Sequence, residues 1–175
     1  TPYRSIRRLL PGMSVCWSDG NAREVRTWNL AAAPSVTCRD DAEYEERFRT
    51  LLAAGIRSAT QTAGTAWVAL SGGLDSSSIA AVAAHGGERL GTYSMISPRW
   101  PEMDEQRWMR AVVERYDLPW HTADVEAALP FSKLPHEFLG EPTPTVIDEQ
   151  QLGDCDDVLA ANGVTTMLSG YGGDT

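Results

Sequence analysis

Apolar positions change their rhythm twice along the chain. In the first thirty residues Met13-Ser-Val-Cys-Trp17 and Glu24-Val-Arg-Thr-Trp28 alternate on either side of Ser18-Asp-Gly-Asn21. Because Asp-Gly accepts positive φ, this pattern predicts a β-hairpin. Ala31 to Arg39, broken by Pro34, reads as a connector. Asp40 or Asp41 then caps a helix whose Tyr44, Phe48, Leu51, Leu52, Ile56 and Ala59 fall on one face. Glu43, Glu45 and Glu46 sit near its start, where carboxylates suit the helix dipole and form a solvated face.

From Ala66 the rhythm changes again, to short apolar runs separated by helical segments. Strands are expected at Trp67–Leu70, Leu90–Met95, about Trp120–Thr122 and Val164–Leu168. Helices are expected at Ser76–Ala84, about Asp104–Arg115 and about Glu149–Ala161, with a proline-punctuated stretch over Pro130–Pro144. Repeated strand, helix, strand predicts an α/β fold with a parallel sheet flanked by helices on both faces. The sequence contains no internal repeat and no low-complexity segment.

Composition narrows the function classes. The 175 residues carry 15 Lys+Arg against 24 Asp+Glu, a net charge of −9, with 42% hydrophobic residues. An acidic globular chain of this length suits one domain and argues against a nucleic-acid partner, which needs a basic face. No apolar run is long enough to span a bilayer and no secretory leader is visible, so no membrane partner and a cytoplasmic location are expected. Cys16, Cys38 and Cys155 match neither a disulfide framework nor a zinc site and are read as free thiols. His85, His121 and His136 are scattered and read as surface or packing residues. Trp17, Trp28, Trp67 and Trp108 fall in strand and helix candidates, which favours packing roles over a stacking surface. Asp104-Glu105 reads as a helix cap, and Asp154, Asp156 and Asp157 as a solvated face.

The candidate chemistry follows the first strand of the alternating region. Ala69-Leu-Ser-Gly-Gly-Leu-Asp-Ser-Ser-Ser78 is a strand end, a glycine loop and a helix start. Gly72 and Gly73 let the backbone approach an anion, and the helix start adds unpaired N–H donors and a positive dipole end, so the loop suits phosphate. Ser71, Ser76 and Ser77 can donate to phosphoryl oxygens, whereas Asp75 can face a phosphate only across a cation, which implies magnesium. The plainer alternative is a tight turn with a capped helix, although capping alone does not call for all of these residues together. The loop is not a lysine-bearing P-loop, a dinucleotide-binding fingerprint or a nucleophile elbow. The chain starts at Thr1 without methionine and stops at Thr175 inside a glycine-rich loop, so a piece of a longer protein is expected.

Ser71-Gly-Gly-Leu-Asp-Ser76 resembles the pyrophosphate loop of the N-type ATP pyrophosphatases, the PP-loop superfamily that includes asparagine synthetase, GMP synthetase and NAD synthetase. Leu168-Ser-Gly-Tyr-Gly-Gly-Asp174 is similar to the second signature of the asparagine synthetase family, Leu-Ser-Gly-Glu-Gly-Gly-Asp-Glu. Arg7-Arg-Leu-Leu-Pro-Gly12, with the hairpin and Trp28, resembles the end of that family's glutaminase domain.

The resemblance implies an adenine nucleotide alpha hydrolase-like fold. Residues 1–30 would be the tail of a glutaminase-like (Ntn) domain, 31–39 a linker, and 40–175 an ATP-pyrophosphatase synthetase domain incomplete at its C-terminus. By the same resemblance Leu70, Ser71, Met95, Ser169 and Gly170 contact ATP, while Gly72, Gly73, Ser76 and Ser77 line the pyrophosphate. Asp75 and Asp174 would hold Mg2+ on the phosphates. The implied reaction is ATP-dependent amide-bond formation: a small-molecule or peptide carboxylate becomes an acyl-adenylate, pyrophosphate leaves, and an amine or ammonia displaces AMP. A glutaminase domain in the same full-length chain is a possible ammonia source, although Cys16, Cys38 and Cys155 do not sit where the family's nucleophilic cysteine opens that domain.

Two residues depart from the family's motif. Tyr171 replaces the glutamate of asparagine synthetases, and Thr175 replaces a second glutamate. A tyrosine there is similar to the β-lactam-forming relatives, in which it helps deprotonate an attacking amide nitrogen, and lasso-peptide cyclases are further relatives. Tyr171 is thus a candidate catalytic acid/base, the alternative being a packing role, because a phenol needs a partner to act as a base near neutral pH. Gly140-Glu-Pro142 departs from the family's Asp-Glu-Pro, and Glu141 receives no role. Three functions stay open: asparagine synthesis, a macrolactam- or β-lactam-forming cyclase, and a non-catalytic nucleotide-binding module.

Overall fold

Strands of two separate sheets appear among residues 4–61, 64–102, 104–128 and 149–173, the parts of the chain that the computed structural model describes. The smaller sheet is the hairpin, β1 (Met13–Ser18) paired antiparallel with β2 (Asn21–Arg26). Asp19 and Gly20 take φ of 50° and 79°, the two left-handed positions of a two-residue hairpin turn. So tight a turn lets pairing start at Asn21, three residues before the strand expected from Glu24. Trp17 and Trp28 are 71% and 60% exposed, not packed as expected, since a two-stranded ribbon supplies no opposing layer of its own.

Helix α1 (Asp41–Gln61) opens on a reciprocal cap. The Glu43 amide donates to Asp40 Oδ1 at 2.9 Å, and Glu43 Oε2 accepts from the Arg39 amide at 2.8 Å and from Arg39 Nε at 3.0 Å. Only the second half of its apolar face is covered. Ile56 is buried and Leu52 packs on the core, whereas Tyr44, Phe48 and Leu51 are exposed. Phe48 and Leu52 face Ser78, Ala81 and Val82 of the next helix across an open groove, so this part of α1 is only loosely covered.

The larger sheet is parallel, in the order β5-β4-β3-β6. Its members are β3 (Thr65–Ala69), β4 (Gly91–Ile96), β5 (Trp120–Asp124) and β6 (Val164–Ser169). The connecting helices are α2 (Leu74–His85), α3 (Gln106–Tyr116) and α4 (Glu149–Ala161). Alternation along β3 divides the two faces. Ala66 and Val68 join Ile56, Ala80, Ala83 and Leu90 in one buried cluster, with Val112 and Leu168 packed against it, so α1, α2 and α3 cover that face. Trp67 points to the other side, where it stacks on His121 at 4.4 Å and lies against Gly91. A Cβ at Gly91 would stand 2.4 Å from Trp67 Nε1, so glycine is what admits the indole. Trp67 thus takes the packing role expected of it, and all three cysteines are free. Among the described residues no helix is long and apolar enough to cross a membrane. The expected proline-punctuated stretch, His136 and Glu141 lie outside them.

Candidate active site

Both glycine motifs emerge side by side at the carboxyl edge of the parallel sheet, because β3 and β6 are neighbours in the register Ala69↔Ser169. The chain runs from β3 to α2 and β4 on one side, while β6 returns on the other. An open parallel sheet of this kind offers a crevice where the strand order reverses.

The first loop stays pinned to the sheet for one residue beyond β3. The Leu70 amide donates to the Tyr93 carbonyl at 2.8 Å, and the Leu70 carbonyl accepts from Ser94 Oγ at 2.7 Å. Ser94 Oγ also accepts from Trp120 Nε1 at 2.9 Å. Beyond Leu70 the loop is held by its own serines. The Ser71 amide donates to Ser76 Oγ at 3.1 Å, the two hydroxyls lie 3.0 Å apart, and Ser76 Oγ donates to the Gly73 carbonyl at 3.4 Å. Ser76 is 4% exposed, so its hydroxyl is turned into the loop it closes; Ser77 is half-buried and Asp75 exposed.

Gly72 must be glycine for two reasons. Its φ is +88°, and a Cβ would meet the Glu105 carbonyl oxygen at 3.1 Å and Trp108 Cβ at 3.3 Å, where the start of α3 leans on the loop. Trp108, expected to pack in the core, is 52% exposed beside this contact with Arg107 stacked on its ring at 4.0 Å. Gly73 is the N-cap of α2 and makes no side-chain cap, which leaves the first amides of that helix to other acceptors.

The second loop lies directly on the first. A Cβ at Gly170 would stand 2.8 Å from Asp75 Cβ and from the Ser76 amide nitrogen, and one at Gly173 would stand 2.5 Å from Asp75 Cγ. Inside this loop the Tyr171 amide donates to Ser169 Oγ at 3.1 Å and the Gly173 amide to the Gly170 carbonyl at 3.1 Å. Tyr171 is 99% exposed, so its ring packs on nothing described. Asp174 lies outside the described residues.

A cavity of about 630 Å³ opens where the first loop leaves the sheet. Of the residues expected to hold nucleotide, Leu70, Ser71 and Met95 line it; Gly72, Gly73, Asp75, Ser76, Ser77, Ser169 and Gly170 belong to the two meshed loops. The cavity also brings in Tyr93 and Met109, which the sequence reading did not single out, and Cys155, which it read only as a free thiol. Tyr93 was within reach of that reading, since it stands two residues before Met95 and strand alternation puts both on one face. Met109 and Cys155 come from helices whose placement no local pattern reveals.

The Tyr93 hydroxyl is fully enclosed and has no hydrogen-bond partner among the described residues. Burial, reinforced by the Cys155 thiol and the Asp154 carboxylate, pushes its pKa up to about 12. The thiol is near enough to act electrostatically, but it is a weak hydrogen-bonding group and does not meet hydrogen-bond geometry, so the phenol counts as unsatisfied. Cys155 is itself raised, first by burial and then by Asp156.

Among the described residues no three His, Cys, Asp or Glu side chains gather as a metal cage. A magnesium ion carried on phosphates does not require one, since it keeps several waters and takes only one or two carboxylates. Asp75, exposed and faced by glycine backbone, suits that lighter role.

A family model described as asparagine synthase matches residues 47–175, which include both glycine loops and every element of the parallel sheet. No curated protein matches the chain.

Proposed function

The chain belongs to the asparagine synthase family of ATP-dependent ligases, and on that premise we propose that it forms an amide bond through an acyl-adenylate. The observation that carries this reading is the Leu70–Ser76 loop, which opens onto the 630 Å³ cavity while the glycines of the neighbouring loop close on Asp75. In the proposed arrangement the nucleoside lies against Leu70, Ser71 and Met95, and Ser169 and Gly170 close over it. Gly72, Gly73, Ser76 and Ser77 shape the pyrophosphate seat, with the amides at the start of α2 donating to it. Asp75, together with Asp174, would hold Mg2+, which when bound neutralises triphosphate charge.

In the reaction a carboxylate oxygen attacks the α-phosphorus, the α–β bridging P–O bond breaks, and pyrophosphate leaves with the electron pair. An amine nitrogen then attacks the acyl carbon, loses a proton, and expels AMP. The loop's share of catalysis is alignment and fixed N–H donors at the developing charge. Residues 1–30 fit the proposal as the tail of a glutaminase-like domain, with 31–39 as its linker and 40–175 as the synthetase domain.

Exchange of labelled pyrophosphate into ATP by the full-length protein tests the proposal. Exchange that depends on a carboxylate substrate supports it; ATP binding with no exchange for any carboxylate would reduce the domain to a nucleotide-binding module.

A second reading, an amide-forming cyclase of peptide or β-lactam type, is favoured by Tyr171, which stands free on the loop beside Asp75 and is open to a bulky substrate. Under that reading Tyr171→Phe leaves exchange intact and slows ring closure, and an unaltered overall rate would dismiss it.

A further inference from the structure

The bonds at Leu70 assign a role to a residue outside both motifs. A parallel ladder continued one step past Ala69↔Tyr93 would turn the Leu70 carbonyl to the Met95 amide. The Ser94 hydroxyl takes that carbonyl instead, at 2.7 Å. Beyond this bond the two strands part, Ser71 turning into the glycine loop and Met95 lining the cavity, 38% exposed. Ser94 is 1% exposed, so it reaches no ligand itself. Its hydroxyl is oriented from behind by the Trp120 indole N–H, and Arg110 lies over the Trp120 ring at 5.2 Å.

We propose that Ser94 is a positioning residue for nucleotide binding: its hydroxyl ends the β3–β4 ladder at Leu70 and so holds open the cleft between Ser71 and Met95. The proposal rests on the reading of this cavity as the ATP site. Without the hydroxyl, the Leu70 carbonyl is left to the Met95 amide, the ladder gains a step, and the cleft narrows from the sheet side.

Thr92 supplies the control. It lies two residues earlier on the same strand, is equally buried at 0% exposure, and its hydroxyl donates to the Pro119 carbonyl at 2.9 Å, away from the loop. Ser94→Ala therefore deletes the bond to Leu70 together with the one accepted from Trp120, Thr92→Val deletes the bond to Pro119, and only the first touches the cleft. ATP affinity is measured by calorimetry in the full-length protein and unfolding midpoints by denaturant titration. Both variants are expected to lower the midpoint, while Ser94→Ala alone weakens ATP binding, by about tenfold. Ser94→Cys, nearly isosteric with a weaker donor, gives an intermediate loss and decides the matter if the alanine variant does not fold. Unchanged ATP affinity in the Ser94 variants, or an equal loss in Thr92→Val, overturns the proposal while leaving the ATP site standing. A wild-type protein that binds no ATP overturns both.

Discussion

Gly170 lies flat against Asp75, close enough that a Cβ on the glycine would come within 2.8 Å of the aspartate's own Cβ. The same hypothetical atom would reach the Ser76 amide at that distance, so backbone on one loop meets backbone on the other. Neither side can yield by rotating a side chain. Gly170→Ala is therefore expected to lift the 169–173 loop off the start of α2, abolishing measurable ATP binding while far-UV circular dichroism stays that of the wild type. Retained ATP affinity would mean the two loops need not touch.

Asp75→Asn keeps the shape of the helix start and removes one negative charge. If Asp75 carries a cation to the phosphates, pyrophosphate exchange falls by about a hundredfold or more and its dependence on magnesium concentration weakens. An exchange rate and magnesium titration matching the wild type would remove Asp75 from the metal assignment.

Tyr93 carries a buried hydroxyl without a hydrogen-bond partner among the described residues, and deleting such a group relieves a desolvation cost. Tyr93→Phe is expected to raise stability by about 1 kcal/mol in denaturant titration. Alkaline titration gives a second signature. The folded-state pKa of about 12 lies above the ordinary value of 10, so the protonated phenol is favoured in the folded protein. That contribution is whole below pH 10 and is lost as pH rises through about 12. The wild type should therefore lose stability across this window more steeply than Tyr93→Phe does, and coincident alkaline profiles would contradict the assignment.

Acid acts at the other end of the domain. The Arg39 amide and then its side chain hold the Glu43 carboxyl below its ordinary value of 4.5, so the cap at the start of α1 is intact above that pH and is lost as pH falls through the lowered value. Amide shifts of Arg39 and Glu43, followed by NMR, should titrate together there with the interior of α1 unmoved. Independent titration of the two amides would rule out the reciprocal cap.

The parallel sheet was legible because its strands are short apolar runs between helical segments, and the glycine loop because Ser71 to Ser76 combines residues that a plain turn would not need together. The Asp40 cap and the Asp-Gly turn were legible for the same reason: their chemistry is local. What escaped was set by neighbours distant in sequence. Ser94 looks like any strand serine until β3 is laid beside it, and Cys155 meets Tyr93 only because α4 crosses the opposite face. Tyr44, Phe48 and Leu51 carry a buried-face pattern but lie where no described element packs closely on α1. Trp17, Trp28 and Trp108 show that aromatic content on a regular element does not by itself place a ring in the core.

The pairing of β3 with β6 has a consequence for how the protein comes into being. Gly64 and Thr165, joined by a 2.9 Å bond at the foot of that pair, are 101 residues apart, so this closure is the slow, non-local step of assembly. Until it happens, the inner strand of the finished sheet is an open edge with free amides and carbonyls, a template for any passing strand. On the ribosome that edge must wait until synthesis has passed β6, 101 residues beyond Gly64 at Thr165. The second glycine loop and protection from aggregation therefore arrive together, with the same strand.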